Sequence, residues 1–196
     1  MLAHPGPATL GAMEEVELKI PVPDLGPVRS ALRAAGARPL HPAAREVNVL
    51  FDADDGRIAS GGGALRLRRY AGRAVLTLKG PPHYSGGVKR REEHETAVED
   101  PEAAERILER LGFRARVRYE KDRETWALGS VEVALDRTPM GAFVELEGPE
   151  AAILEAARSL GLDPTEAVRE SYVALWEAYR RAHPGLRLPE DMVFGR

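Results

Sequence analysis

Much of the chain alternates apolar and polar residues with a period of two. Residues 15–20 read Glu-Val-Glu-Leu-Lys-Ile, which places the apolar side chains on one face of a strand and the charged ones on the other. Similar extended segments follow, with Gly-rich or Pro-rich turns between them, at residues 47–51, 64–70, 73–79, 88–98, 115–128, 131–136 and 142–147. The pattern predicts about eight strands joined as antiparallel hairpins.

Four segments have helical spacing instead. The first follows Asp24, which we predict as its cap, and ends at Gly36. The others cover residues 101–111, 150–160 and 165–181. We predict one domain over residues 13–182, a disordered tail over residues 1–12 and an irregular tail over residues 183–196.

Several strands share one arrangement of apolar and charged faces. Leu65 and Leu67, for example, alternate with Arg66 and Arg68. Helices can cover the apolar faces, and about eight strands can close so that the charged faces surround a lumen. We therefore predict an α+β fold, with a closed or nearly closed antiparallel eight-stranded β-barrel, a charged lumen and helices packed outside.

The charges on these faces form pairs at a spacing of two residues. A single polar strand face is ordinarily just solvated, but here the pairs recur with both signs. Carboxylates pair at Glu15 and Glu17, Glu93 and Glu95, and Glu145 and Glu147; cations pair at Arg66 and Arg68 and at Lys121 and Arg123, with Lys19, Lys79 and Arg91 in addition. Opposed sets of this kind suit a triphosphate, because basic groups bind phosphates while carboxylates hold divalent cations.

Composition narrows the functional classes. Lys and Arg number 28 against 31 Asp and Glu, so the formal charge of −3 argues against nucleic acid or an anionic membrane surface as a partner. The chain has no cysteine and no apolar run long enough to span a bilayer, which predicts a soluble, cytoplasmic protein. The glycines at 61–63 precede a strand without a following Gly-Lys-Ser/Thr, so a P-loop is not predicted.

The order of these motifs resembles the CYTH family, also called triphosphate tunnel metalloenzymes. The family's ExExK motif is matched by residues 15–19, and later landmarks by LRLRR at 65–69, TLKG at 77–80, RREEHE at 90–95, KDR at 121–123 and GAFVELE at 141–147. The family includes class IV adenylyl cyclases, thiamine triphosphatases and inorganic tripolyphosphatases. The resemblance covers about residues 13–175.

The resemblance implies site residues and a cofactor. It assigns Mg²⁺ or Mn²⁺ to Glu15, Glu17, Glu145, Glu147 and Asp136, with Glu93 and Glu95 as additional lumen carboxylates. It assigns the phosphates to Lys19, Arg66, Arg68, Lys79, Arg91, Lys121 and Arg123. We expect Lys19, Glu17 and Glu147 to be the catalytic residues.

The resemblance leaves three functions open. Metal-dependent hydrolysis of tripolyphosphate, thiamine triphosphate or a nucleotide is favoured, because residues 11–14 lack the HFxxR-like stretch of the cyclase branch. A class IV adenylyl cyclase and a non-catalytic polyphosphate-binding module are the alternatives. Asn48 stands where the family often has an acidic residue, so no role is assigned to it. Trp176 and Tyr179 are predicted to serve the core or a homodimer contact.

Overall fold

A computed structural model describes residues 13–85 and 88–195; the predicted tail over residues 1–12 lies outside them. The strands are β1 (Met13–Val22), β2 (Arg38–Ala53), β3 (Ala64–Tyr70), β4 (Arg73–Lys79), β5 (His83–Ser85), β6 (Val88–Val98), β7 (Phe113–Leu128), β8 (Val131–Thr138) and β9 (Gly141–Glu147). The helices are α1 (Gly26–Ala34), α2 (Arg57–Ser60), α3 (Pro101–Arg110), α4 (Glu150–Ser159) and α5 (Tyr172–Ala182). No helix among the described residues is both long and apolar enough to span a membrane.

Eight of the strands close into an antiparallel barrel, as predicted. They follow the order β1-β9-β8-β7-β2-β3-β4-β6, and β6 pairs back with β1 over Met13–Glu17 and Lys89–Glu93. The short β5 pairs with β6 on the side where β4 also pairs, so it continues the line of β4. Closure leaves the inner faces of the strands around a common lumen.

The outward faces of the barrel carry the apolar core. α1 and α4 pack on β1, β8 and β9, where Leu18, Leu146 and Ile153 are almost completely buried. Leu108 of α3 packs on a second cluster that includes Leu67 of β3. Because of the alternation in the sequence, each of these strands has an apolar outer face and a charged inner face.

α5 packs across one end of the barrel. Its Tyr172 and Trp176 are buried against Phe143 and Tyr119, which lie on lumen faces of β9 and β7. Residues 183–195 contain one 3-10 turn, and the backbone N–H of Glu120 donates to the carbonyl of Met192 at 2.7 Å. Met192 is thus docked on β7.

The predicted helix over residues 165–181 is wrong in its first part. A 3-10 turn at Pro164–Glu166 is followed by irregular backbone, and α5 begins only at Tyr172, where Ser171 caps it. The reason is that the N–H of Val168 donates to the carbonyl of Lys19 at 2.8 Å instead of continuing a helix. This hydrogen bond ties the segment to strand β1 of the barrel.

Other differences from the predicted elements are smaller. The N-cap position of α1 is Leu25, although the carboxylate of Asp24 still accepts from the N–H of Gly26 at 3.1 Å. The sequence pattern did not predict α2 or β5, which have only four and three residues. Such short elements lack a period long enough to read.

Asp52 fixes the turn that leads from β2 to α2. Its buried carboxylate accepts from the N–H groups of Ala53, Ile58 and Ala59 at 2.8–3.0 Å. We expect Asp52→Ala to lower the free energy of unfolding by about 1–3 kcal/mol, because three backbone donors lose a charged acceptor. Urea unfolding measures this, with Asp54→Ala as the control, since Asp54 is exposed and makes one surface ion pair with Arg116. Equal stability of the two variants would contradict the role of Asp52.

Candidate active site

A cavity of about 680 Å³ occupies the lumen of the barrel. It is lined by nearly every residue that the sequence predicted for the site: Glu15, Glu17, Lys19, Arg66, Arg68, Lys79, Arg91, Glu93, Glu95, Lys121, Arg123, Glu145 and Glu147. Asp136 is the exception. The lining also includes residues that the sequence analysis did not select, namely Lys89, Glu132, Arg169, Glu170 and Tyr172.

Strand register gathers carboxylates on one side of the lumen. Glu17 of β1 lies opposite Glu147 of β9, and Glu147 lies opposite Glu132 of β8. On its other side, Glu17 lies opposite Lys89 of β6. Three carboxylates therefore follow one another across neighbouring strands, with a lysine at the end of the row.

Burial and neighbouring charges together raise the pKa of Glu147 to about 7. Burial against the barrel wall contributes most, and the carboxylates of Glu15, Glu132 and Glu17 add to it, whereas Lys79 opposes them. The side chain nevertheless faces the open cavity. Crowded carboxylate oxygens beside cavity water are the donors that hard divalent cations bind. The residues present therefore fit a Mg²⁺ or Mn²⁺ ion.

Two lysines neutralise part of this acidic wall. The ammonium group of Lys79 lies 2.8 Å from both carboxylate oxygens of Glu15 and 3.0 Å from Glu93, and Lys89 contacts Glu17. Burial alone would raise the pKa of Glu15, but Lys79 holds it below its ordinary value. In the described part of the chain, no three acidic or histidine side chains are already arranged around a metal position.

Beside this acidic wall, β7 contributes a cationic network to the lumen. Arg123 contacts both Asp136 and Glu145, and the ammonium group of Lys121 lies 2.9 Å from Asp136. Although burial opposes ionisation, Lys121, Arg123 and Lys19 hold the pKa of Glu145 well below its ordinary value. Glu145 is thus anionic and engaged by basic groups.

Asp136 lies behind this network. Its carboxylate is completely buried, and it accepts from Lys121, Arg123 and the hydroxyl of Tyr172, the last at 2.7 Å. It does not line the cavity. The structure therefore places this predicted metal ligand where it fixes the direction of two basic side chains.

Glu46 is a second buried carboxylate, and the sequence analysis missed it. It lies 3.5 Å from Lys121 and 3.8 Å from Arg123, and these two cations lower its pKa to about 2 against the effect of burial. The side-chain amide of Asn48 donates to it at 2.9 Å. Extending the alternation from Asn48 by two residues would have found it, because both side chains face inward.

Lys19 is held by the segment that leads into α5. Its ammonium group donates to the carbonyl of Glu170 at 3.1 Å, lies 3.5 Å from Glu145 and sits 4.4 Å from the ring centroid of Tyr172. Lys121 lies 4.6 Å from the same ring. Tyr172 therefore positions two predicted phosphate-binding lysines.

Two substitutions of Tyr172 distinguish the contribution of its ring to triphosphate binding from that of its hydroxyl. We expect Tyr172→Leu to weaken triphosphate binding about tenfold, because both lysines lose the ring that orients them, whereas Tyr172→Phe keeps the ring and loses about threefold or less. Isothermal titration with tripolyphosphate measures both. Tyr179→Leu is the control, because Tyr179 stacks on Trp176 of the same helix and does not line the cavity. Equal losses for Tyr172→Leu and Tyr179→Leu would reduce Tyr172 to a helix-packing residue.

The remaining basic residues complete the cationic lining. Arg66 lies 3.7 Å from Glu95, and Arg91 donates to the carbonyl of Gly80 at 2.7 Å. Arg169 lies near the ring of Tyr84, at 5.4 Å, and its carbonyl accepts from the Tyr84 hydroxyl at 3.0 Å. These contacts join β5 to the segment before α5 at the wall of the cavity.

Comparison with known families agrees with this geometry. The profile of the CYTH domain matches residues 13–172, which is most of the chain. The chain belongs to the CYTH domain family. The matched region begins with β1 and ends at Tyr172, so it includes the whole barrel and the residue that joins α5 to the lumen.

Individual relatives are consistent with this assignment. A Methanocaldococcus jannaschii protein that carries the provisional name adenylate cyclase is 29% identical over 174 residues, which cover 83% of this chain and 98% of that protein. A provisionally named adenylate cyclase structure from Vibrio parahaemolyticus has a TM-score of 0.75 at 20% identity, covering 85% of this chain and 99% of that one. A provisionally named adenylyl cyclase from Hippeastrum, described as having a dominant triphosphatase activity, has a TM-score of 0.62 at 20% identity, covering 84% and 95%. The two structures establish a shared fold.

Proposed function

We infer that this protein is a divalent-metal-dependent triphosphate hydrolase whose site is the barrel lumen. One cavity of about 680 Å³ brings a carboxylate row and a cationic network side by side, and this arrangement carries the proposal. A triphosphate has about four negative charges, and it needs both basic side chains and metal ions to be neutralised away from bulk water. Membership of the CYTH family supports triphosphate chemistry in general.

The carboxylates facing the cavity would hold the metal. Glu15, Glu17 and Glu147 are placed for it, with Glu132 beside them, and Glu145 contributes where the row meets the basic network. When bound, the cation supplies charge stabilisation of phosphoryl oxygens and a more nucleophilic water. For Asp136 we propose a positioning role in place of the predicted metal role, since its oxygens are occupied by Lys121, Arg123 and Tyr172.

The basic residues would bind and orient the phosphates. Lys19 and Lys121 are buried and Arg123 is largely buried, and contacts with Glu145, Asp136 and Tyr172 fix them, so their charges are preorganised before substrate arrives. Arg66, Arg68, Lys79 and Arg91 extend this surface around the lumen. Fixed donors of this kind stabilise charge that develops on the departing phosphate without needing to reorganise.

Two features favour hydrolysis over cyclisation. The sequence lacks the cyclase-type stretch before β1, and the Hippeastrum relative is described as chiefly a triphosphatase despite its cyclase name. Adenylyl cyclase remains the second candidate because the Methanocaldococcus jannaschii relative carries that name. Tripolyphosphate, thiamine triphosphate and nucleoside triphosphates are the candidate substrates.

Product analysis tests the proposal. The protein is incubated separately with tripolyphosphate, thiamine triphosphate and ATP, each with Mg²⁺, Mn²⁺ or EDTA, and phosphate, pyrophosphate and cyclic AMP are measured. We expect metal-dependent phosphate release without cyclic AMP. Cyclic AMP with pyrophosphate would instead establish the cyclase, and tight metal-dependent binding without any product would establish a binding module.

A further inference from the structure

The acidic wall of the lumen contains two lysines. Their positive charges lie beside the same carboxylates that we expect to bind the metal ions. Lys79 lies between Glu15 and Glu93, and Lys89 contacts Glu17. The side chains in these contacts are 9–14% exposed. These ion pairs are close and largely shielded from water, and they occupy carboxylates that a metal would need.

A ligand that arrived alone would break this balance. A divalent cation bound to Glu15 and Glu17 would lie beside Lys79 and Lys89 and be repelled by them. A triphosphate bound to the two lysines would lie beside carboxylates that had lost their partners. Both penalties are large at sites shielded from water, and both vanish when the two ligands bind together.

We propose that Lys79 and Lys89 are internal counter-ions that make metal binding and triphosphate binding depend on each other. The inference rests on the proposed function and assigns a role to Lys89, which no sequence motif indicated. Without ligands, the ammonium groups hold Glu15, Glu17 and Glu93. With both ligands present, the ammonium groups turn to phosphate oxygens and release the carboxylates to the cation, and this coupling is reciprocal.

The ion pair between Lys89 and Glu17 can be broken by substituting either residue. Loss of the lysine should strengthen metal binding, and loss of the carboxylate should strengthen triphosphate binding. Lys89→Met removes the competitor of the metal, so we expect the protein without triphosphate to bind Mn²⁺ about tenfold more tightly, as measured by electron paramagnetic resonance. Glu17→Gln releases Lys89, so we expect tripolyphosphate in EDTA to bind about tenfold more tightly, as measured by isothermal titration. Lys79→Met is a second variant, should Lys89→Met fail to fold.

Arg91→Met is the matched control. Arg91 lies two residues from Lys89 on the same inward face of β6, but its guanidinium donates to the Gly80 carbonyl. Its loss removes the same charge from the lumen, and we expect it to raise Mn²⁺ affinity less than threefold. A gain equal to that of Lys89→Met would show a general charge effect and overturn the specific inference.

The outcomes separate this inference from the proposed function. Unchanged Mn²⁺ affinity in both Lys89→Met and Lys79→Met overturns the counter-ion role, while metal-dependent turnover by the unmodified protein leaves the hydrolase standing. Failure of the unmodified protein to bind Mn²⁺ or to turn over any triphosphate contradicts both. A gain in Mn²⁺ affinity for Lys89→Met together with a gain in tripolyphosphate affinity for Glu17→Gln supports the inference. Loss of a purely structural ion pair would raise the affinity for neither ligand.

Discussion

Glu147→Gln is expected to lower metal-dependent triphosphate hydrolysis by at least about a hundredfold while leaving the fold intact. Glu147 stands between Glu17 and Glu132 in the carboxylate row and faces the open cavity. The amide keeps the shape of the side chain but removes a charge that the cation needs. Glu17→Gln should have a similar effect on turnover, because it lies in the same row.

The control for this loss is Glu155→Gln on α4. Glu155 is exposed on a helix that packs outside the barrel, and its substitution should change the hydrolysis rate by less than twofold. Phosphate release and thermal unfolding are measured on all three variants. Unfolding of Glu147→Gln, or full activity in it, would contradict the placement of the metal on this row.

Asp136→Asn is expected to lower the free energy of unfolding by about 3 kcal/mol or more. Asp136 is completely buried between Lys121 and Arg123, and removing its charge leaves two buried cations with fewer anionic partners. Its hydrogen bond from Tyr172 also ties α5 to the barrel. We expect Mn²⁺ affinity to change less than threefold, because Asp136 does not line the cavity.

A neighbouring aspartate provides the control for this stability loss. Asp122 of β7 also pairs with two arginines, Arg45 and Arg137, but at the surface. Asp122→Asn should cost less than about 1 kcal/mol, because water screens exposed ion pairs. If Asp136→Asn kept full stability and lost tenfold in Mn²⁺ affinity, the metal role implied by the family resemblance would stand and the positioning role would fall.

The sequence predicted the barrel because the alternation of apolar and charged residues is a direct consequence of strand geometry. Each long strand has one face for the helices and one for the lumen, and that division is readable from β1, β3 or β9 alone. Closure followed from having charged faces on about eight strands. The same alternation brought the predicted carboxylates and basic residues to one cavity, apart from Asp136.

What the sequence did not predict depends on contacts between distant segments. The break before α5 arises because Val168 hydrogen-bonds to Lys19, and no local signal records that contact. Asp136 shares an inward face with Glu132, yet it is completely buried by contacts with residues of other elements, Lys121 and Arg123 of β7 and Tyr172 of α5. Lys89 and Glu132 could have been found by following each alternation, since Lys89 lies two residues before Arg91 and Glu132 four before Asp136. Arg169 could not, because it lies on irregular backbone.

A crystal structure with Mn²⁺ and a non-hydrolysable triphosphate analogue would show whether metal and triphosphate bind together inside the barrel. Anomalous scattering locates the Mn²⁺ independently of the phosphate density. We predict a Mn²⁺ peak within coordination distance of Glu147 and of Glu15 or Glu17, with the phosphates against Lys19, Lys121 and Arg123. A triphosphate bound on the outer surface, or Mn²⁺ away from this carboxylate row, would contradict the account.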